Sequence, residues 1–364
     1  MRIRAALMAA MVALGLMSTT PAPADAAMGI KGDPKVAFIY IAPVGDLGWT
    51  WAHDQSRKAI ETELGIPTAY TESIPEVTER VSQVIDRYVG RGFNIIIGTA
   101  FGYSDAFKEA AARHPDVVFM NAAGYTTAPN LASYYGRSYE SLYLAGMAAG
   151  YATTSNKLGF VAAYPLGLVL WNANAFALGA QSVNPKAEVA VSFTNTWYDP
   201  VREEAAAKAL IEQGADVIGQ HQDTPGPQVA AERAGVKSIG YNADMSASAP
   251  NAHIMAATWN WGAFVVPQVK AAIDGTFEGG SYFEGLSTGV VDISEFTGTA
   301  LTDAQKADIL KTRAAIADGS LDIWKGPITD QSGKVVVADG ATLDVGQLFA
   351  MDFLVRGTSG TLPK

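Results

Sequence analysis

The chain has 364 residues, 49% of them hydrophobic and 17% charged, which excludes a disordered protein and is enough to bury more than one core. Its formal net charge of −10, from 26 basic and 36 acidic residues, argues against a nucleic-acid-binding protein, which needs a basic face. Cysteine is absent, which excludes disulfides, thiolate metal sites, a cysteine nucleophile and a lipid-modified cysteine at the mature N-terminus.

The N-terminus has the three parts of a secretory signal peptide. Two arginines in the first four residues precede an apolar run over residues 5–17, and small residues follow up to an Ala-x-Ala pattern that ends at Ala26. The run is too short for a membrane anchor. We therefore expect residues 1–26 to be removed, and a soluble periplasmic protein without a lipid anchor to result.

Strand-like and helix-like segments alternate twice along the rest of the chain. In the first half, apolar strands are predicted at 35–42, 68–71, 93–98 and 117–121, with helices at 51–64, 76–91 and 103–114. In the second half, strands are predicted at 158–163, 188–193, 217–220 and 237–241, with helices at about 171–183, 200–213 and 227–234. This alternation predicts right-handed βαβ units and an α/β fold in which each half is a parallel sheet flanked by helices.

Two lobes follow from this repeat. We expect an N-terminal lobe from residues 34–153 plus about 260–285, and a C-terminal lobe from residues 154–259 plus about 286–364. An Ala- and Gly-rich helix over 139–153 is expected to lead into the hinge. Beyond residue 261 the alternation weakens into a helix, an extended segment, a charged exposed helix and a Gly-rich tail, at 263–274, 282–293, 301–318 and the last residues.

The loops that follow the predicted strands combine aromatic residues with Asp, Asn or Gln. In open parallel sheets, ligands meet the loops at the carboxyl ends of the strands. An aromatic side chain can sandwich a ring while carboxylates and amides bind its polar edge. We therefore expect a ligand cleft at the hinge, with these ligand-binding residues: Asp46, Trp49, Phe101, Tyr103, Trp171, Asn172, Trp197, Asp223, Asn242, Asp244 and Trp261.

The aspartates have a competing structural explanation, because Asp is a preferred residue at helix N-termini. This capping explanation fits Asp223 best, since Thr-Pro-Gly-Pro follows and is typical of a capped turn. Asp244 precedes Met-Ser-Ala-Ser, with no clear helix to cap, which favours a ligand-binding role.

Signals for an enzyme are weak. The four histidines share no metal-ligand spacing, and neither a Gly-x-Ser-x-Gly elbow nor a phosphate loop occurs, so we expect no metal, no cofactor and no catalysis. His221 beside Asp223 has the composition of a general base, but a hydrogen-bonded or solvent-facing histidine explains it better. Facing carboxylates such as Asp46 and Asp244 leave an exported nucleoside or glycoside hydrolase as an alternative.

Four segments together resemble the basic membrane protein family, which comprises substrate-binding proteins of ABC importers related to purine nucleoside receptor lipoproteins. They are residues 45–54 (Gly-Asp-Leu-Gly-Trp-Thr-Trp-Ala-His-Asp), 139–146, 195–200 and 258–261. The resemblance covers most of residues 36–293. It implies a two-lobed type I periplasmic binding fold that closes on a purine base or a purine nucleoside. The implied partner is an inner-membrane ABC permease, and we expect a monomer that does not bind nucleic acid.

The resemblance also implies roles for individual residues. In nucleoside-binding members, an Asp-rich loop after the first strand ends in Phe-Asn; its aspartates hold the ribose and an aromatic residue stacks on the base. This chain keeps Asp46 but has Trp49-Thr50 where Phe-Asn is expected, and Asp244 falls at the position of the second-lobe aspartate. The altered loop introduces a free base such as adenine as an alternative. A sugar or amide ligand and a sensory partner of a membrane receptor also stay open.

Overall fold

Residues 27–362 are described by a computed structural model, and they form two α/β units. The N-terminal unit consists of residues 27–137 and 259–292, and the C-terminal unit of residues 138–258 and 293–362. The predicted signal peptide, residues 1–26, lies outside the described residues. Among the described residues, no helix combines the length and the apolar character needed to cross a bilayer.

Strands and helices alternate as the sequence predicts. The strands are β1 (Val36–Ile39), β2 (Thr68–Thr71), β3 (Ile95–Gly98), β4 (Val118–Ala122), β5 (Leu131–Gly136), β6 (Lys157–Ala162), β7 (Glu188–Phe193), β8 (Val217–His221), β9 (Lys237–Asn242), β10 (His253–Trp259), β11 (Gly280–Glu284), β12 (Val291–Ile293), β13 (Ile328–Thr329), β14 (Val335–Val337) and β15 (Thr358–Ser359). The helices are α1 (Trp49–Ala59), α2 (Thr78–Gly90), α3 (Ser104–Arg113), α4 (Ser138–Ala152), α5 (Gly167–Val183), α6 (Pro200–Glu212), α7 (Gly226–Ala234), α8 (Gly262–Asp274), α9 (Asp303–Ala317) and α10 (Val345–Phe349). A π-helical turn, Ile60–Leu64, extends α1.

The N-terminal unit is built on a six-stranded sheet in the order β11-β5-β4-β3-β1-β2, with every adjacent pair parallel. Strands β1 and β3 are buried along their whole length, as expected for strands covered by helices on both faces. Helix α2 packs on the sheet through Val81, Val84, Ile85 and Tyr88, which share one face at helical spacing. The strand order reverses between β1 and β3, and this is the switch point at which open sheets bind ligands.

The C-terminal unit repeats this plan. Its sheet has the order β12-β10-β9-β8-β6-β7-β15, so β6 lies between β7 and β8 as β1 lies between β2 and β3. Its core includes Val161, Leu210 and Ile218, from β6, α6 and β8. The equivalent switch point lies between β6 and β8. The predicted α/β fold with parallel sheets flanked by helices is therefore confirmed in both halves.

Helix α4 belongs to the C-terminal unit, whereas the sequence assigned residues 139–153 to the N-terminal lobe. It packs closely on α5, because glycines let the two backbones meet. A Cβ atom on Gly146 would lie 2.0 Å from the carbonyl oxygen of Phe176, and one on Gly179 would lie 2.0 Å from that of Tyr143. The division between the units therefore falls before α4, after residue 137, and no side chain larger than hydrogen fits at these two positions.

Three further elements differ from the sequence-based assignment. The sequence analysis missed β5 and β10, although residues of both are largely buried. Helix α5 begins at Gly167 rather than near Trp171. The structure gives it no side-chain cap, so the usual sequence signal for a helix start is missing.

Candidate functional site

Asp46, in the loop after β1, uses its carboxylate to hold the start of α1. Oδ1 accepts hydrogen bonds from the backbone N–H groups of Gly48 and Trp51, and Oδ2 accepts one from Thr50, each at 2.9 Å. Burial raises the pKa of the carboxyl group, and the three backbone donors oppose that shift. The capping explanation raised from the sequence thus accounts for both oxygens.

Trp49 lies at the switch point between β1 and β3. Its Nε1 donates to the carbonyl oxygen of Thr99 at 2.7 Å, which ties the loop after β1 to the loop after β3. Its ring meets Trp259 and Trp261 edge-on, at centroid distances of 5.8 and 5.3 Å. The ring of Trp49 is partly exposed, so it presents apolar surface at the edge where a ligand is expected.

Trp261 is an interior residue. Its ring is fully buried between Trp259 and His53, at centroid distances of 4.4 and 4.7 Å and interplanar angles of 15° and 21°. Trp261 therefore supports the rings around it. The structure places it behind Trp49, in the packed part of the N-terminal unit.

Phe101 and Tyr103 follow β3 but face different surroundings. Phe101 is partly exposed and packs on Tyr125, which follows β4, at a centroid distance of 5.1 Å. Tyr103 is fully buried, and its hydroxyl donates to the carbonyl oxygen of Ile74 at 2.5 Å. The pair Phe101 and Tyr125 thus adds apolar surface at this edge of the sheet, whereas Tyr103 belongs to the core.

Trp171 and Asn172 lie within α5, away from any loop. Trp171 is fully buried, with Tyr139 and Phe349 packed against its ring at 5.9 and 5.0 Å. The Asn172 Oδ1 atom accepts a hydrogen bond from Ser138 Oγ at 2.8 Å. These two residues join α5 to neighbouring elements of the C-terminal unit, because the helix begins a turn earlier than the sequence indicated.

Trp197 lies at the carboxyl edge of the C-terminal sheet, in the loop after β7. It is partly exposed and packs edge-on against Tyr164, which follows β6, at a centroid distance of 4.9 Å. On its other side the ring of His221, at the end of β8, lies 6.4 Å away. This aromatic group therefore spans the second switch point as Trp49 spans the first.

His221 is neither hydrogen-bonded through its ring nor solvent-facing, contrary to the sequence-based interpretation. It is 6% exposed, and neither ring nitrogen has a hydrogen-bond partner among residues 27–362. Its ring stacks on Tyr241 at 4.9 Å. Burial lowers the pKa of the imidazole to about 4, so the ring is neutral at physiological pH. The sequence analysis left His221 and Tyr241 out of the site, although both stand where strands end.

Asp223, Asn242 and Asp244 complete the loops after β8 and β9. Asn242, in a left-handed conformation with φ 71°, donates from Nδ2 to Asp223 Oδ1 at 3.1 Å. Asp244 is half exposed, and its Oδ1 accepts from the backbone N–H of Ser246 at 2.9 Å. Asp244 thus bonds to the first residue of the short 3₁₀ turn Ser246–Ser248, which the sequence analysis did not detect.

The loop after β8 is fixed by a buried carboxylate that sequence reasoning missed. Glu203, in the first turn of α6, accepts hydrogen bonds from the backbone N–H and the hydroxyl of Thr224, and from the backbone N–H of Asp199. Burial raises the pKa of Glu203. The segment between His221 and Thr224 is therefore held at both ends, by the strand and by the helix.

Comparison with known proteins shows to which protein family this chain belongs. Residues 33–322 match the family model described as ABC transporter substrate-binding protein PnrA-like. The chain belongs to this family of ABC transporter substrate-binding proteins. The family resemblance seen in the sequence is thereby confirmed, and the family's members are binding proteins that act outside the cytoplasmic membrane rather than enzymes.

Similar proteins differ in the ligands that their names state. A putative ABC transporter glucose-binding protein of Haloferax volcanii is 40% identical over 80% of this chain and 74% of its own length. A purine-binding protein of Brucella abortus is 38% identical over 91% of this chain and 94% of its own. A solved solute-binding protein from Conexibacter woesei has a TM-score of 0.69 at 22% identity, over 79% of this chain and 98% of that one. The last likeness bears on the fold alone.

Proposed function

We propose that this substrate-binding protein binds a purine and delivers it to its ABC importer, as a free base of the adenine type or as its nucleoside. The observation that carries the proposal is the aromatic surface at the switch point of each sheet. Trp49 provides it in the N-terminal unit, and Trp197 with Tyr164 provides it in the C-terminal unit. A purine has two flat apolar faces and a polar edge, and aromatic side chains bind such faces well.

The occupation of Asp46 supports a free base over a nucleoside. Three backbone N–H groups take three of the roughly four acceptor positions on its two oxygens, which leaves little capacity for the hydroxyls of a ribose. The purine-binding relative from Brucella abortus, which is similar along nearly its whole length, supports the purine class. We therefore expect adenine to bind more tightly than adenosine.

A sugar is the second candidate ligand. The relative from Haloferax volcanii, 40% identical to this chain, carries a glucose-binding name, and an aromatic ring also packs on a pyranose. The two candidate ligands differ in how strongly their affinity depends on the aromatic surfaces. A purine stacks on them with its whole face and loses most of its affinity when one is removed.

Isothermal titration calorimetry on protein that has been unfolded, washed and refolded tests this proposal. Adenine, adenosine and glucose are titrated separately into the wild type and into Trp197→Ala. We expect adenine to bind, and the variant to lose about 10-fold or more in affinity, since stacking contributes about 1–3 kcal/mol per base. The control is Tyr70→Ala, which removes an exposed ring on an edge strand of the N-terminal unit. Binding of glucose without adenine would refute the proposal.

The remaining part of the proposal concerns location and partners. We infer that the protein is exported to the periplasm as a monomer, with cleavage near Ala26, and delivers its ligand to an inner-membrane ABC permease. The family assignment supports an extracytoplasmic role. N-terminal sequencing and light scattering of protein from a periplasmic extract test it. A start upstream of residue 20, or a dimeric mass, would contradict this part.

A further inference from the structure

Two consecutive buried side chains at the end of β8 have polar atoms without a hydrogen-bond partner among the described residues. They are the His221 ring nitrogens and the Gln222 Oε1 atom, which have no hydrogen-bond partner within the part of the chain that the structure describes. His221 is 6% exposed and Gln222 is 1% exposed. Leaving a buried donor or acceptor unsatisfied is costly in free energy, and few such groups occur in a folded protein. Of the fourteen such atoms among residues 27–362, three lie on these two consecutive residues at a switch point, which is where a ligand can satisfy them.

The Gln222 amide has a defined orientation. Its Nε2 donates to the Thr194 hydroxyl oxygen at 2.5 Å, and that hydroxyl has its own acceptor in the carbonyl oxygen of Thr196, at 3.2 Å. The hydroxyl proton also has a second carbonyl acceptor, that of Ala162 at 3.3 Å, and with the proton donated to these carbonyls the hydroxyl accepts from Gln222 and Oε1 is the free end of the amide. Gln222 therefore offers a hydrogen-bond acceptor that calls for an N–H or O–H donor.

The His221 ring is neutral and held flat. Tyr241 stacks on it at 4.9 Å and 30°, and Trp197 lies 6.4 Å away on a different strand end. A neutral imidazole has one donor and one acceptor nitrogen. The neighbouring carboxylate of Asp223 accepts a hydrogen bond from Asn242. The His221 ring and the Gln222 amide are therefore neutral donor and acceptor groups, and the ring lies beside Tyr241 and Trp197.

We propose that His221 and Gln222 determine ligand specificity, by binding the polar edge of an uncharged, amino-substituted heteroaromatic ring. This inference rests on the proposed function, since it names the groups that select within the purine class. Gln222 Oε1 accepts from the exocyclic amine, and the His221 ring exchanges a hydrogen bond with a ring nitrogen. An anionic ligand is disfavoured because neither group carries a positive charge to balance it.

The test compares two near-isosteric variants on two related ligands. His221→Phe keeps a flat ring and removes both nitrogens, and Gln222→Met keeps the side-chain length and removes the acceptor. Calorimetry is performed with adenine and with unsubstituted purine, which lacks the amine. We expect each variant to weaken adenine binding by about 10- to 100-fold, the effect of leaving a buried group unpaired. Gln222→Met should weaken purine binding by less than about threefold.

Two controls separate binding from folding. His114→Gln changes a partly exposed histidine in the N-terminal unit and should leave adenine affinity within twofold. Without ligand, His221→Phe should melt at the same temperature as the wild type or higher, because it removes two unsatisfied buried atoms. If His221→Phe fails to fold, His221→Gln replaces it, with the expectation of a smaller loss.

The outcomes distinguish the two proposals. A wild type that binds no purine refutes the proposed function, and this inference with it. A wild type that binds adenine, with both variants within twofold of it, overturns the roles of His221 and Gln222 alone. If Gln222→Met loses affinity equally for adenine and for unsubstituted purine, the contact between Gln222 and the exocyclic amine is overturned.

Discussion

Two buried neutral histidines should make the stability of the ligand-free protein fall as the pH is lowered from 7.5 to 5. His53 is fully buried against Trp261 and His221 stacks on Tyr241, and burial lowers their pKa values to about 3 and about 4. In the unfolded chain both titrate near pH 6.5. At pH 5 the unfolded state therefore binds more protons than the native state, so stability is full above pH 6.5 and decreases below it.

The size of this effect follows from the same values. Between pH 6.5 and 5, each histidine costs about 1.5 pH units at about 1.4 kcal/mol per unit, which is about 2 kcal/mol each and about 4 kcal/mol together. That is a large part of the total stability of a typical domain. Above pH 7.5 the two histidines add no further dependence.

Urea denaturation at pH 8.5, 7.5, 6.5, 5.5 and 5 measures this dependence. The double variant His53→Phe/His221→Phe should lose about 4 kcal/mol less than the wild type between pH 7.5 and 5. Each single variant should recover about half of the difference. A wild type equally stable at pH 5 and 7.5, or a double variant with an unchanged slope, would refute the assignment of neutral buried histidines.

Three further variants test how the site is held in place, with stability measured by urea denaturation. Gly146→Ala should destabilise by about 1–3 kcal/mol because its Cβ meets a backbone oxygen at 2.0 Å, whereas Gly90→Ala, with open space around it, should be neutral or slightly stabilising. Asp46→Asn should cost about 1 kcal/mol by weakening the cap of α1 while changing adenine affinity less than threefold; a tenfold loss at unchanged stability would identify Asp46 as a ligand contact. Glu203→Ala should cost about 1–3 kcal/mol, since it leaves the buried donors of Thr224 unpaired, and a cost below 0.5 kcal/mol would contradict that role.

Most of the fold could be predicted from apolar runs and their spacing. Segments such as Ile95–Gly98 and Glu188–Phe193 are strongly apolar or alternating, and turn residues bound them. Strand β5, Leu131–Gly136, was missed because its Ala, Ser and Gly residues weaken the strand pattern, and only its neighbours in the sheet bury it. The repeated strand order, which creates the switch points, depends on pairing between distant segments and is not visible in local patterns.

The sequence predicts the location of the candidate site, at the strand ends, better than it predicts which side chains there are exposed. The sequence placed Trp49 and Trp197 after strands, and the structure has both partly exposed there, because loop positions follow from strand positions; their contact with a ligand stays a prediction. The same reasoning selected Trp171 and Trp261, whose burial depends on where α5 begins and on how aromatic rings pack together. It set aside His221, because a sequence does not show whether a buried histidine has partners. Whether a buried polar atom has a hydrogen-bond partner is revealed only by three-dimensional contacts.

The proposed purine specificity is tested most directly by native mass spectrometry of ligand-stripped protein in an equimolar mixture of adenine, adenosine and glucose. All three ligands compete for the same protein, so the mass of the complex identifies the preferred one. The account predicts a complex with adenine as the main species, a smaller adenosine complex, and release of each ligand chemically unchanged. A main complex with glucose would contradict the proposed function, and a hydrolysed adenosine would contradict its assignment as a binding protein alone.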